Sequence, residues 1–539
     1  MSKSESRSAA GIVLAALAAG QFVMALDSSV MNVSIPVVAK DIGTDVTGIQ
    51  TAITMYTLVM ASLMITGGKV GQMLGRKRAF IIGCYIYAAG SLTTAASQSL
   101  PMLLFGWSLL EGLGAVLILP AIVALVASNF AREDRPRAYG LLSAAMAIAI
   151  AAGPLIGGLF TTYLSWRWVF VGEVIVIIGI LAFSKRITDT PAEEGVTLDY
   201  VGTVLSATGL ALIVYGLLKS GTWGLVDPKP GAPTWFGLSP AFWLMLGGGV
   251  VLWLFLGWER RMIEHDREPL VDPALFQVVH LRSGLEAFFF QYLLLLGLFF
   301  LMSLYLTVAL GLSAIATGVR LMPMSVMLFL AAVGIPKVFP NANPRRVTRL
   351  GFLSIAVGLS MLVALLDVGT GPEIVTWPLA LAGFGAGALS SQLGAVTVGA
   401  VPDERSGEVG GLQNTATNLG SSIATALAGA VLIATLTTSF IRGIEDNPDV
   451  PKSVTQNAEV QLSAGVPFVS DKDLEAALDE ARVPRDTADA IIEENAAARV
   501  VGLQASFGLL ALFAVGALFV TGRLPKKQAA AQAEAAGQS

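Results

Sequence analysis

Three carboxylates stand where carboxylates are costly. Asp27 interrupts an apolar run that begins near Gly11, within VMALDSSVMNVSIP. Glu111 sits near the middle of the run containing WSLLEGLGA, and Glu173 lies in the run that follows SWRWVF. An ionised carboxylate at bilayer depth costs several kcal/mol, and burial in low dielectric favours the protonated form. Such a group can take up and release a proton near neutral pH when its exposure changes, which is what a proton-coupled carrier requires. One charge crossing a potential gains about 2.3 kcal/mol per 100 mV, enough to sustain a gradient of roughly fifty-fold. The structural alternative for each acid is hydrogen-bonded glue between helices, and for Glu173 an ion pair with nearby Arg167. Candidate cargo contacts are Trp107, Tyr292, Gln392 and Asn414, drawn from a wider set: Gln21, Phe22 and Met24 near Asp27, Met55 and Tyr56, Phe288, Phe289 and Gln291, Ser390 and Ser391, and Gln413 and Asn418. Large apolar surfaces with a few polar groups suit an amphipathic ligand, and aromatics beside acids suit a lipophilic cation. Phe and Met at helical spacing also serve simply to face lipid or neighbouring helices.

Helices in a membrane must position these groups. Of the 539 residues, 54% are hydrophobic and 13% charged, against roughly 25% charged in soluble domains. A bilayer core of about 30 Å needs roughly 20 apolar residues per helix, because the backbone finds no water there. Fourteen such runs can be read, from 11–35 at the start to 408–438 and 499–522 at the end, with 79–98 as the third. Lys and Arg alternate between loops: Arg76-Lys77-Arg78, Arg132 with Arg135 and Arg137, Lys185-Arg186, Arg345-Arg346 and Arg405 fall on one side. The positive-inside rule makes that side cytoplasmic, with both termini on it. The net charge of −4 gives no basic patch for nucleic acid. The single cysteine, Cys84, excludes an internal disulfide and a cysteine metal cluster. His265 and His280 share a polar loop without metal-ligand spacing, so no metal site is expected. No motif joins a nucleophile to a base, so no enzyme activity is expected.

The organisation that follows is a cytoplasmic tail (1–10), a first six-helix bundle (11–186), two inserted helices with a cytoplasmic linker (187–282), a second bundle (283–523) and a disordered tail (524–539). GGKVGQMLGRKR after the second span and GIPKVFPNANPRR after the tenth are a weak internal echo, as in carriers built from two repeats. Residues 440–498 form an outer polar segment; SDKDLEAALDEA and DTADAIIEENAAA read as two short helices, the first capped by Asp471 or Ser470. That segment is a solvated cap or a lid over the pathway.

Three stretches carry a family resemblance. LDSSVMNVSIP, with Asp27, Asn32 and Pro36, looks like the first-helix motif of the fourteen-helix drug:H⁺ antiporters of the major facilitator superfamily. GKVGQMLGRKR looks like their loop motif, matching at Gly68, Gly75, Arg76 and Lys77, and AGPLIGGLF looks like their fifth-helix antiporter motif, matching at Gly153, Pro154, Gly157 and Gly158. The resemblance covers nearly the whole chain. It implies an all-α polytopic fold of two six-helix bundles plus two inserted helices. It also implies a monomeric exporter of lipophilic or amphipathic molecules in the cytoplasmic membrane, powered by the proton gradient without a cofactor. In that reading Asp27, Glu111 and Glu173 couple to protons, and the glycine motifs gate. Proline bends a helix and the glycines admit a close neighbour, so the fifth span would seal one side of the cavity. The departures are Gln72 where the family has a locking Asp, Met73 where it has a basic residue, Ser108 and Glu111 where its fourth helix has Arg and Gln, and Glu173 where relatives often have Asn. Export of a lipid or lipid-conjugate is the alternative cargo class, and a non-transporting membrane receptor is the alternative of another kind.

Overall fold

The computed structural model describes residues 3–44, 46–189, 192, 196–229, 231–451 and 468–527. The chain is helical, with no β-strand among the described residues beyond an isolated bridge between Trp235 and Leu238. The first six long helices are α1 (Lys3–Asp41), α2 (Val46–Leu74), α3 (Arg76–Ala95), α4 (Leu100–Asn129), α5 (Arg135–Tyr163) and α6 (Arg167–Phe183). They are followed by α7 (Tyr200–Trp223), α8 (Pro240–Glu264), α9 (Val279–Ala309), α10 (Ala314–Val338), α11 (Pro344–Leu365), α12 (Thr376–Val398) and α13 (Ser406–Asp446). The short α14 (Asp471–Glu480) precedes α15 (Arg485–Val520).

Thirteen of these helices, all the long ones except α3, are long and apolar enough to cross a membrane. The third predicted span coincides with α3, whose apolar character is diluted by Arg76-Lys77-Arg78 at its start. Its 20 residues still reach about 30 Å at 1.5 Å per residue, and it packs between α4 and α6.

The helices sort into two halves with a pair between them. In the first half α1 packs on α5, α2 on α4, and α3 on α4 and α6. In the second, α10 and α11 pack on α12, and α9 and α15 pack on α13. The halves meet where α5 lies against α10 and α12, and where α13 lies against α2 and α4. The pair α7–α8 joins them through α7, which touches both α2 and α13. One apolar core runs through the first half, the pair and the linker after α8; a second fills the other half around Phe352, Leu389 and Phe507.

The outer segment differs from expectation. DTADAIIEENAAA is not a separate short helix but the first turns of α15, and α13 continues to Asp446. Both helices overshoot the predicted spans because Leu436, Phe440 and Ile444 pack against Ile491 and Ala498, which extends the apolar seam beyond bilayer length. The other short helix does form: Ser470 caps α14, accepting a hydrogen bond from the Asp473 amide at 3.1 Å. Arg499 ties this helix down through the Val469 carbonyl at 2.8 Å and the Asp471 carboxylate. The tail expected to be disordered falls largely on 528–539, outside the described residues.

Candidate functional site

The three acids, separated by up to 146 positions in sequence, converge in space. Asp27 on α1, Glu111 on α4 and Glu173 on α6 place carboxylate oxygens within 4.8 Å of one another. Asp27 and Glu111 are 0% and Glu173 is 2% exposed, so water does not solvate them. Each has one oxygen held by a donor. Trp107 Nε1 donates to Asp27 Oδ1 at 2.7 Å, and Thr94 Oγ1 donates to Glu111 Oε1 at 2.8 Å. Tyr87 and Ser91 hydroxyls donate to Glu173 Oε2 at 3.1 and 3.3 Å. The second oxygens, Asp27 Oδ2, Glu111 Oε2 and Glu173 Oε1, have no hydrogen-bond partner. Among the described residues no Lys, Arg or His forms an ion pair with any of the three.

Local structure explains the convergence. Residues Leu104–Glu111 wind as a π-helical segment inside α4, a distortion that recurs at functional sites. It carries Trp107, Ser108 and Glu111 together into the interior. Ser108, at the family's arginine position, donates to the Ala52 carbonyl at 2.8 Å and so tethers α4 to α2. Trp107 stacks on Tyr56 with ring centroids 5.0 Å apart. Glu111 is seated by Gly90 on α3: a Cβ there would lie 2.6 Å from Glu111 Cγ and 2.7 Å from its backbone nitrogen. The proposed antiporter glycines act similarly beside Asp27. A Cβ at Gly153 would lie 2.1 Å from Ser29 Oγ, and one at Gly157 would press on Val30 at 3.3 Å. Gly158 is buried, and α5 is helical through Pro154, whose side chain lies outside the described residues, as do those of Asn32 and Pro36.

The suggested pairing of Glu173 with Arg167 does not form. Arg167 instead ion-pairs with Asp41 and donates to the Ser97 carbonyl at 2.6 Å. Partial burial works against ionisation of Asp41. The hydrogen bonds from Trp166 and Arg167 outweigh it and hold the carboxyl below its ordinary range.

The cargo candidates divide. Tyr292 and Asn414 line a cavity between the two halves, together with Gln21, Phe288, Ser390 and Gln413. Trp107 does not line it; its indole serves Asp27. Gln392 does not line it either, and its amide donates to Ser391 Oγ at 3.1 Å. Gln21 lies six residues before Asp27 on α1, about 9 Å along the axis, so cavity and acids share a helix. The cavity encloses about 60 Å³, room for a few waters and far below the roughly 300 Å³ or more of a drug-sized pocket. Cargo can enter only if the halves move apart.

One end of the molecule, rich in cations, is clasped between the halves. Gly68 on α2 meets α13 so closely that a Cβ would lie 2.7 Å from the Gly407 carbonyl oxygen. Gln72 Nε2 donates to Glu408 Oε1 at 3.3 Å, so the amide that replaces the family's Asp still reaches across. Arg76 donates to the Glu404 carbonyl, and Arg135 grips both oxygens of Asp403 at 3.0 Å. Gly75 makes the turn into α3 at φ 90, a region only glycine adopts without strain. Lys77 does not cross; its Nζ donates to the Ile187 carbonyl at 2.8 Å within its own half.

Residues 17–425 match the family model described as Major Facilitator Superfamily. The chain belongs to the major facilitator superfamily. Among curated relatives, the puromycin resistance protein pur8 of Streptomyces alboniger is 29% identical over 78% of this chain and 81% of its own length. The multidrug efflux pump LfrA of Mycolicibacterium smegmatis is 27% identical over 93% and 96%. The probable actinorhodin transporter of Streptomyces coelicolor is 27% identical over 81% and 74%. Among solved structures, the human organic anion transporter MFSD10 (TETRAN) superposes with TM-score 0.57 at 12% identity, covering 96% of this chain and 99% of that one. It shares the fold of this superfamily member.

Sequence reasoning missed Tyr87, Ser91 and Thr94, the donors to Glu173 and Glu111. Their signal was present: positions i, i+4 and i+7 make one polar stripe on α3. It also missed the linker after α8. There Glu268 Oε2 receives Lys69 Nζ at 3.1 Å, and Asp272 pairs with Arg405 at 2.7 Å. Buried Glu259 on α8 holds this linker by accepting from the Leu270 amide at 2.8 Å. The inserted unit thus gives one acid to each half of the superfamily fold. Lys69 is 1% exposed, so removing its partner costs about 1–3 kcal/mol. Glu268→Gln is expected to loosen this end. With Val409, a buried residue of α13, replaced by Cys as reporter, maleimide labelling should quicken severalfold. Unchanged labelling would show that the linker plays no part in closure.

Proposed function

We propose that this superfamily member is a proton-coupled exporter of lipophilic or amphipathic small molecules, working by alternating access in the cytoplasmic membrane with both termini inside. The observation that carries the reading is the set of three buried carboxylates without a cation, two of them, Asp27 and Glu111, on helices that border the inter-half cavity. Buried acids of this kind bind protons only when their access to water changes. Rocking of α1–α6 against α9–α15 supplies that change. The curated relatives named for efflux and resistance support the direction and the cargo class. Trp107 orients Asp27, Tyr292 and Asn414 face the cargo space, and the Gly68–Arg76 contacts hold the basic end shut. No cofactor enters the scheme.

A lipid or lipid-conjugate cargo is the second reading. The groove between α7 and α13, lined by Leu217, Leu225, Phe300, Ala430 and Ile433, favours it. Proteoliposomes with an imposed pH gradient test both. Ethidium efflux that collapses with a protonophore supports the first reading, and transfer of a labelled phospholipid without ethidium efflux supports the second. Flux indifferent to the gradient would remove the proton from the scheme.

A further inference from the structure

We propose that the acid cluster rests with two protons, one on Glu111 and one on Glu173, and with its single negative charge on Asp27. This rests on the reading of the cluster as the coupling site and goes beyond it by assigning the proton count. Hydrogen-bond accounting carries it. The three carboxyl groups have six oxygens, of which three accept from Trp107, Thr94, Tyr87 and Ser91. The remaining three, one on each residue, are buried and unpartnered, and each such orphan is costly. With no proton, three charges would face one another within 4.8 Å in low dielectric, which no structure sustains without a cation. With one proton, two charges and one orphan oxygen remain. With three, the O–H groups can still bond one another, but the cluster carries no charge and the Trp107 N–H faces a neutral acid.

Two protons give every free carboxyl oxygen a partner. The free oxygens of Glu111 and Glu173 become O–H donors within reach of Asp27, directly or through one water. Asp27 then accepts two O–H groups besides the Trp107 N–H. It is the natural seat of the charge because it takes the Trp107 N–H and has the Tyr56 phenol beside it. The other titratable groups that bear on the cluster are the phenols of Tyr56 on α2 and Tyr87 on α3. Tyr87 donates to Glu173, the Tyr56 hydroxyl is buried without a partner, and neither supplies a positive charge. Ser108, in place of the family's Arg, supplies none either. The charge balance is therefore settled among the acids themselves.

Infrared spectroscopy of the purified chain in lipid counts protonated carboxyls without any cargo. Near neutral pH the cluster is expected to contribute two buried carboxyl C=O bands that shift in D₂O, told apart from buried Glu259 by difference spectra against the cluster variants. Glu111→Gln and Glu173→Gln should each remove one, and Asp27→Asn should remove neither. Gln keeps the shape and a donor, so these variants preserve the fold; should one misfold, the difference spectrum of the other decides. A single band, no band, or loss of a band in Asp27→Asn overturns the assignment. Flux insensitive to pH with two bands present would sink the coupling reading and leave the proton count standing.

Discussion

Asp27→Asn is expected to abolish gradient-driven efflux while leaving a folded carrier in the membrane. The amide matches the carboxylate in volume, and its oxygen still accepts from Trp107 Nε1, the bond that measures 2.7 Å in the native chain. The side chain is fully buried, so retaining its shape retains the packing of α1 against α5. What is lost is the charge. Without it the cluster has no ionised centre to exchange protons with. The driving force, about 2.3 kcal/mol per charge per 100 mV, no longer acts on the cargo. Accumulation ratios should fall from roughly fifty-fold toward unity, while downhill exchange of cargo persists. Transport assays in everted vesicles, with expression and thermal unfolding as controls, read both. Full gradient-driven efflux in Asp27→Asn would remove this residue from coupling.

Gly68→Val should trap the carrier away from the closed state described here. At Gly68 even a Cβ would sit 2.7 Å from the Gly407 backbone oxygen, and backbone cannot swing aside as a side-chain tip can. Overpacking of this kind costs about 1–3 kcal/mol, and only in the conformation where α2 and α13 touch. That shifts the closed population by about five- to hundred-fold. The open conformation, in which Gly68 faces an emptied seam, bears no such cost, so stability should change little. Net efflux should fall at least tenfold, and labelling of Val409→Cys should become fast. Normal efflux with slow labelling would mean that the α2–α13 contact is not a gate.

Much of this was legible in the residues. Runs of about twenty apolar positions define spans because lipid cannot hydrogen-bond a bare backbone, a local rule that needs no tertiary knowledge. The same rule exposed Asp27, Glu111 and Glu173 as out of place. Where the rule is diluted it weakens, as at α3 with its three leading cations, and where a helix leaves the bilayer it says nothing. That is why the merger of DTADAIIEENAAA into α15 was not foreseen.

Sequence alone therefore determined the helices, their order, the superfamily resemblance and the identity of the isolated acids, because each depends on near neighbours along the chain. Only the tertiary structure decided that the acids form one cluster, that Trp107 belongs to Asp27 rather than to the cargo space, and that Arg167 turns to Asp41 instead of Glu173. It also decided that Lys69, Glu268, Asp272 and Arg405 clasp the basic end. These pairings join positions up to 199 residues apart. They follow from how glycine-lined helix faces such as Gly90 and Gly153 let backbones approach, and a spacing along one helix does not say which other helix will fill it.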